Sequence, residues 1–186
     1  LMQLPDYLES LQEGTPDRPL VLLPLLNELR RARGEPSLDE IELFHPDLSV
    51  MPPPAAGGAA GDVREVVRGL RPRYQAALLN VIRGTEVTAA LKVLASVVER
   101  LDGHCTRPET RQWLWAVAGM VEALRDGGLP LDAGIKRTLG QVDQALRELV
   151  RAGEHGLAPE WLRGQVRQAL FAVARSSSRG PAVRVL

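Results

Sequence analysis

The sequence predicts an all-α protein: a helical bundle with a short helical N-terminal segment docked on it. Apolar residues recur at steps of three and four over long stretches, as in Val87, Leu91, Leu94, Val98 and Leu101. This is the spacing of one helix face. Residue types that start and stop helices flank these stretches. No stretch of useful length alternates apolar and polar residues with the period of a strand.

Two helices are expected in the first half of the bundle. Residues 62–83 are helical in pattern, but Pro72 lacks a backbone N–H and should kink or restart this helix. Gly69 weakens the same place, because glycine is a poor helix former. The second helix opens near Thr85 and continues to Leu101 with its apolar residues in one narrow stripe.

Three further helices complete the bundle, and each has a start signal. Thr106 and Glu109 form a capping box, with Pro108 near the first helical position, and a glycine pair stops that helix. Asp132 caps the next helix. The last helix follows Pro159. Narrow apolar stripes of this kind are typical of helices that pack nearly parallel in bundles.

The N-terminal part of the chain carries shorter helical patches. Helices are expected at 7–12 and at 20–33, the second with Pro24 inside its first turns. Ser37 and Glu40 form a second capping box for a short helix that follows them. Isolated short helices are marginal in water, so this segment is expected to dock on the bundle or on a partner.

Composition breaks divide the chain. Ten successive residues, PPPAAGGAAG, are all Pro, Ala or Gly, and such stretches act as spacers. The tail contains Ser, Gly, Pro and two arginines, which is typical of the start of a linker. We therefore expect an N-terminal helical segment, a spacer, the helical bundle and the start of a linker at 1–51, 52–61, 62–175 and 176–186, respectively.

Composition and charge exclude several classes of protein. The 186 residues include 23 basic and 23 acidic ones, so the chain lacks the basic excess of a general nucleic-acid binder. A single cysteine excludes an internal disulfide framework and a cysteine zinc site. No run of about 20 apolar residues is present to span a bilayer. We expect a cytoplasmic domain, without membrane insertion, that is a fragment of a longer protein.

An enzymatic function would depend on three histidines and one cysteine. His45, His104 and His155 each lie beside a residue that breaks helices, and none lies four residues from another ligand type on one helix face. We therefore favour solvated or capping roles over metal binding or nucleophilic catalysis. Cys105 precedes a predicted helix N-terminus, which can lower the pKa of a thiol, and is a candidate reactive thiol. We expect no catalytic residue, cofactor or metal.

Tryptophans and arginines are the candidates for a partner surface. Trp113 falls in the apolar stripe of its helix and is expected in the core, whereas Trp115 lies about 200° further around that helix. We favour burial for the tryptophans and a solvated face for the arginines around the predicted kink, with a contact surface as the alternative. The candidate surface comprises Arg64, Arg68, Arg71, Arg73, Trp115 and Trp161.

Four stretches of the sequence resemble one bacterial family. They are LVLLPLLNELRRARGEPSL at 20–38, LFHPDLS at 43–49, LRPRYQAALLNVIRG at 70–84 and IKRTLGQVDQALRELV at 135–150. The family contains the large hybrid sensor histidine kinases of the type IV pilus chemosensory system (ChpA/PilL type), through their N-terminal region, and the related FimL scaffold proteins. The resemblance covers most of the chain.

The resemblance implies a bundle related to histidine phosphotransfer domains and a role in controlling type IV pili and twitching motility. The implied partners are receiver-type response regulators and polar scaffold proteins, and the implied location is cytoplasmic and polar. Active domains of this kind carry His-x-x-Lys-Gly in mid-helix, but His45, His104 and His155 begin HPDLS, HCTRP and HGLAP. No functional residue of the family can therefore be carried over. We predict a pseudo-phosphotransfer adaptor domain that is not an enzyme.

Other functions stay open. The chain is alternatively a divergent phosphotransfer domain that uses one of its non-standard histidines. It is alternatively a purely structural or dimerisation module that self-associates. Binding of DNA or RNA is the least favoured alternative, because the charge is balanced.

Overall fold

The computed structural model describes residues 3–14, 19–53 and 61–184, and every regular element in these ranges is a helix. The predicted all-α fold class is therefore confirmed. The chain divides into two compact units, Leu1–His45 and Pro46–Leu186. The docking of the N-terminal segment on the bundle and the predicted domain limits stay predictions.

The described residues of the first unit form two short α-helices and two 3-10 helices. Helix α1 spans Gln3–Gln12 and begins earlier than predicted, and α2 spans Leu23–Ala32 with a proline in its first turn, as predicted. The 3-10 helices are Pro19–Leu22 and Glu40–Leu43.

The second predicted capping box lies two residues later than the sequence suggested. The backbone N–H of Asp39 donates to the carboxylate of Glu42 at 2.8 Å, so the pair is Asp39 and Glu42 instead of Ser37 and Glu40. The loop before it is held by the Asn27 side chain, which accepts from the Leu38 N–H at 2.7 Å and donates to the Leu38 carbonyl at 3.1 Å. This amide pairing holds the backbone of Leu38 directly before the cap residue Asp39.

The second unit contains the five predicted helices. They are α3 Val63–Arg83, α4 Val87–Asp102, α5 Pro108–Arg125, α6 Ala133–Ala152 and α7 Pro159–Ala174. The helices pack as a ring of neighbours in the order α3, α4, α5, α7, α6 and back to α3, with α6 and α7 in least contact. Their apolar stripes meet inside the ring in one core, which includes Trp113, Leu94, Leu101, Leu139 and Leu146.

Helix α3 runs without a break through Pro72, so the predicted restart is wrong. Buried residues lie on both sides of the proline, including Val67 and Leu70 before it and Tyr74 after it. The Tyr74 hydroxyl donates to the carbonyl of Leu139 on α6 at 2.9 Å. The free energy gained by burying this face offsets the loss of the backbone hydrogen bond that Pro72 cannot make.

Two of the predicted helix signals in this unit are confirmed and one is wrong. The carboxylate of Asp132 accepts from the backbone N–H of Ile135 at 2.8 Å and caps α6, as predicted. Helix α5 ends at Arg125, and the following Gly127 has the left-handed φ of 72° that favours glycine. The predicted Thr106–Glu109 box is absent, because the N-cap residue is Arg107 and the Thr106 hydroxyl donates to Glu154 instead.

The described part of the tail, 176–184, packs on α5, although the sequence predicted a linker from residue 176. The Ser177 N–H donates to the carbonyl of Gly128 at 2.9 Å, and the Ser178 hydroxyl donates to Asp126 at 2.8 Å. A final short helix, α8 Pro181–Arg184, follows, and its Val183 N–H donates to the Glu122 carboxylate at 2.9 Å. These contacts hold the segment on the bundle. Within the described ranges, no helix has the length and apolar character needed to cross a membrane.

Candidate interaction surfaces

Helix α3 places three of the four predicted arginines on one side. Arg64, Arg68 and Arg71 are four and three residues apart and share a face, whereas Arg73 lies about 200° around the helix from Arg71. Arg64, Arg68 and Arg73 are exposed, and none has a carboxylate partner among the described residues. The structure therefore brings three arginines together and separates the fourth from them.

Arg71 is engaged in holding α3 against α6. Its guanidinium group forms two hydrogen bonds, of 2.9 and 3.0 Å, with the two carboxylate oxygens of Asp143. Gln75, one turn along α3, donates to the same carboxylate at 3.2 Å. Such a two-point contact fixes the register of the two helices, and it leaves Arg71 less available to a partner than Arg64 and Arg68 are.

The three tryptophans differ in their surroundings. Trp113 is fully buried, as predicted, and its ring centroid lies 6.3 Å from that of Trp161, which is half-buried against the core. Trp115 is also half-buried and points to another side of α5. It lines a small groove together with Asp47, Val50, Gln112, Ala116, Val166 and Leu170. Trp115 and Trp161 are thus not parts of one patch.

The 46–53 segment lies along the first half of α5 and is held there by side chains of that helix. The buried amide of Gln112 donates to the carbonyls of Leu48 and Val50, both at 2.8 Å. The guanidinium group of Arg111 donates to the Pro53 carbonyl at 2.7 Å and to Asp102 at 3.2 Å. Polar side chains on α5 therefore donate hydrogen bonds to the backbone carbonyls of a segment that has no regular secondary structure of its own.

Replacing Gln112 with leucine is expected to lower the free energy of unfolding by about 1–2 kcal/mol, because both carbonyls lose their donor. Chemical unfolding followed by circular dichroism measures this loss. The control is Gln144→Leu on the exposed side of α6, which should change stability by less than about 0.5 kcal/mol. Equal effects of the two substitutions would contradict the role assigned to Gln112.

A buried carboxylate, Glu154, organises the start of α5. It lies in the 3-10 helix Gly153–Gly156 and is 8% exposed. Its oxygens accept from the Thr106 N–H, the Thr106 hydroxyl and the Arg107 N–H at 2.9 to 3.0 Å. Arg107 also donates to the Glu154 carbonyl at 2.8 Å. A negative charge at a helix N-terminus is favourable, so Glu154 acts as a cap supplied from a distant part of the chain.

The three histidines lie at helix ends, where the sequence placed them. His45 is exposed, and its Nδ1 lies 3.2 Å from the Leu43 carbonyl oxygen. His104 follows α4 with an Nδ1 atom that is enclosed and has no hydrogen-bond partner among the described residues. His155 is exposed in the 3-10 helix after α6. Within the described ranges, no three metal-ligating side chains are grouped in a way that could hold an ion.

Cys105 is buried, and the expectation that the helix N-terminus lowers its pKa is wrong. Burial is the largest cause that raises the pKa of the thiol, the charges of Glu154 and Asp102 also raise it, and the Arg111 guanidinium group lowers it, so that the pKa is about 12. The thiol is therefore protonated at neutral pH, which is unfavourable for a nucleophile.

The raised pKa of Cys105 predicts a stability that falls in alkaline solution. The unfolded thiol releases its proton near pH 9, whereas the folded one holds it until about 12, so the folded state binds more protons between these values. The contribution of the Cys105 thiol to the free energy of unfolding is fully present below pH 9 and is lost as the pH rises towards 12. Chemical unfolding at a series of pH values should give a steeper decline for the wild type than for Cys105→Ala. Parallel declines would contradict this prediction.

Several residues of interest were missed by sequence reasoning. They are the buried Gln112 and Glu154 and three exposed residues, namely Leu79 and Ile82 on α3 and Arg147 on α6. Leu79 and Ile82 carried a signal, because they fall outside the buried stripe of α3. The other three become meaningful only when their neighbours from distant parts of the chain are known.

Comparison with known proteins shows the family to which the chain is similar. The family described as the FimL scaffold protein second domain matches residues 59–186, which is more than half of the chain. The chain belongs to this FimL family. Scaffold protein FimL of Pseudomonas aeruginosa is 30% identical over 182 residues, which cover 96% of this chain and 32% of the relative. The chain thus spans about a third of the length of the curated relative that it matches. No solved structure matches the chain.

The FimL family membership decides some of the predictions made from the sequence. The resemblance to FimL scaffold proteins is confirmed, and the description of that family as scaffold proteins agrees with the prediction of a non-catalytic chain. The resemblance to the chemosensory kinases and the relation of the bundle to phosphotransfer domains stay predictions.

Proposed function

We propose that this chain is an adaptor domain in a bacterial two-component chemosensory system that controls type IV pili and twitching motility. The observation that carries the proposal is the match of residues 59–186 to the second domain of FimL scaffold proteins. This range contains the five helices of the ring, so the structural unit and the family unit largely coincide. A scaffold acts by binding other proteins, and an exposed helical bundle offers the rigid surfaces for that task.

The proposed partners are receiver-type response regulators of the pathway or polar scaffold proteins, met in the cytoplasm at the cell pole. The sequence resemblance supports this choice, and the missing His-x-x-Lys-Gly motif favours docking without phosphotransfer. A receiver can dock on the face of a bundle whether or not that face carries a phosphoacceptor. Self-association and a purely structural role are the remaining alternatives.

A genetic experiment separates docking from phosphotransfer. In the organism of origin, in-frame deletion of the codons for 59–186 is expected to abolish the twitching zone. Replacing His45, His104 and His155 together by glutamine is expected to retain it, because none of them is needed as a phosphoacceptor. Immunoblots establish that both variants accumulate to wild-type levels. Normal twitching after the deletion, or its loss in the histidine variant, would overturn the proposal.

A further inference from the structure

One face of α3 is polar and basic at its N-terminal half and apolar at its C-terminal half. Residues 64, 68, 71, 75, 79 and 82 follow one another at steps of three and four and form a single line about 27 Å long. Arg64 and Arg68 are exposed at one end. Leu79 and Ile82, at the other end, are 43% and 49% exposed.

Helix α6 adds a third free guanidinium group beside this line. The pairs Arg71–Asp143 and Tyr74–Leu139 show that α6 runs antiparallel to α3. Arg147 lies one turn beyond Asp143 on the same side of α6 and therefore comes level with Arg68. It is exposed and has no carboxylate partner in the described part of the chain. We call Arg64, Arg68, Arg147, Leu79 and Ile82 the α3/α6 stripe.

Three residues of the α3/α6 stripe are placed where an isolated fold gains little from them. Arg64 lies in the first turn of α3, where the positive end of the helix dipole disfavours a cation. Leu79 and Ile82 leave much of their apolar surface in water. Residues that do not favour the fold and that lie together on one face of the molecule are expected at functional sites.

We propose that the α3/α6 stripe binds an amphipathic helix of a partner protein, with carboxylates at one end of that helix and apolar side chains at the other. This inference rests on the proposed adaptor function and names its surface. Charge complementarity places the carboxylates of the partner on Arg64, Arg68 and Arg147, and its apolar side chains cover Leu79 and Ile82.

The composition of the surface favours a protein over other occupants. The chain carries 23 basic and 23 acidic residues, so it lacks the basic excess that attracts a nucleic acid or an anionic membrane. The apolar end has no counterpart on a phosphate backbone. A second copy of the chain fits poorly, because parallel stripes oppose arginine to arginine and antiparallel stripes oppose arginine to leucine or isoleucine.

The test is a titration of the isotopically labelled full chain, followed by backbone NMR, with a designed helical peptide as the probe. The peptide carries glutamates in one half and leucines in the other. We expect shifts concentrated on α3 and α6, and at least a tenfold weaker affinity for the R68E/R147E variant. The matched control is R73E/R137E, which reverses one exposed arginine on each of the same helices outside the stripe and should bind like the wild type. Circular dichroism verifies that both variants are folded.

Three results would overturn the inference. The first is a set of shifts that maps elsewhere, and the second is an equal loss of affinity in both variants. The third is tighter binding at the stripe by single-stranded DNA or by phosphatidylglycerol vesicles than by the peptide. The experiments distinguish an error in the choice of binding surface from an error in the proposed adaptor function. If R68E/R147E supports normal twitching and the deletion of 59–186 does not, the function stands and the stripe is not its surface.

Discussion

Replacing Trp113 with alanine is expected to lower the free energy of unfolding by about 3–5 kcal/mol. The side chain is fully buried and packs on Trp161, so truncation leaves a large cavity in the centre of the helix ring. Urea unfolding followed by circular dichroism measures the loss. Trp113→Phe should cost much less, because a ring still fills part of the space and the indole N–H, which has no partner among the described residues, is removed.

The matched control for Trp113 is Trp115 on the same helix. Trp115→Ala is expected to cost about 1 kcal/mol, because half-burial leaves less apolar area to lose. A larger loss at Trp115 than at Trp113 would contradict the orientation of α5, in which Trp113 faces the core. The two substitutions together therefore test the packing of the most buried helix.

Removing the carboxylate of Glu154 is the second large expected effect. Glu154→Ala should lower the free energy of unfolding by about 2–3 kcal/mol, because two backbone N–H groups and a hydroxyl at the start of α5 lose their acceptor. Glu160→Ala is the control, since that carboxylate is exposed and its one ion-pair partner among the described residues is Arg163 on the same helix. Chemical denaturation of both variants gives the comparison. A Glu154 variant as stable as the Glu160 variant would contradict the capping role.

Local signals explain why much of the fold could be predicted from the sequence. The apolar steps of three and four and the Asp132 cap act within one helix, and both led to correct elements. The Thr106–Glu109 box failed because Glu154, far along the chain, competes for Thr106. Pro72 failed to break α3 because tertiary packing outweighs its local effect. Errors arose where a distant residue decided the local structure.

The candidate site was less predictable for the same reason. Arg64, Arg68 and Arg71 were found because they lie on one helix, but the pairing of Arg71 with Asp143 required the register between α3 and α6. Arg147 gained a role only through that register. Burial reversed the expectation for Cys105, since the sequence showed a helix N-terminus but not the core beneath it.

The adaptor function is tested most directly by calorimetric titration of the full chain with the isolated receiver proteins of the pathway. Each titration is run with and without a phosphoryl mimic on the receiver. The proposal predicts saturable binding to at least one receiver in the micromolar range, about −8 kcal/mol. It also predicts that the H45Q/H104Q/H155Q variant binds equally well. Absence of saturable binding to every receiver, in either state, would contradict receiver docking as the function of this domain.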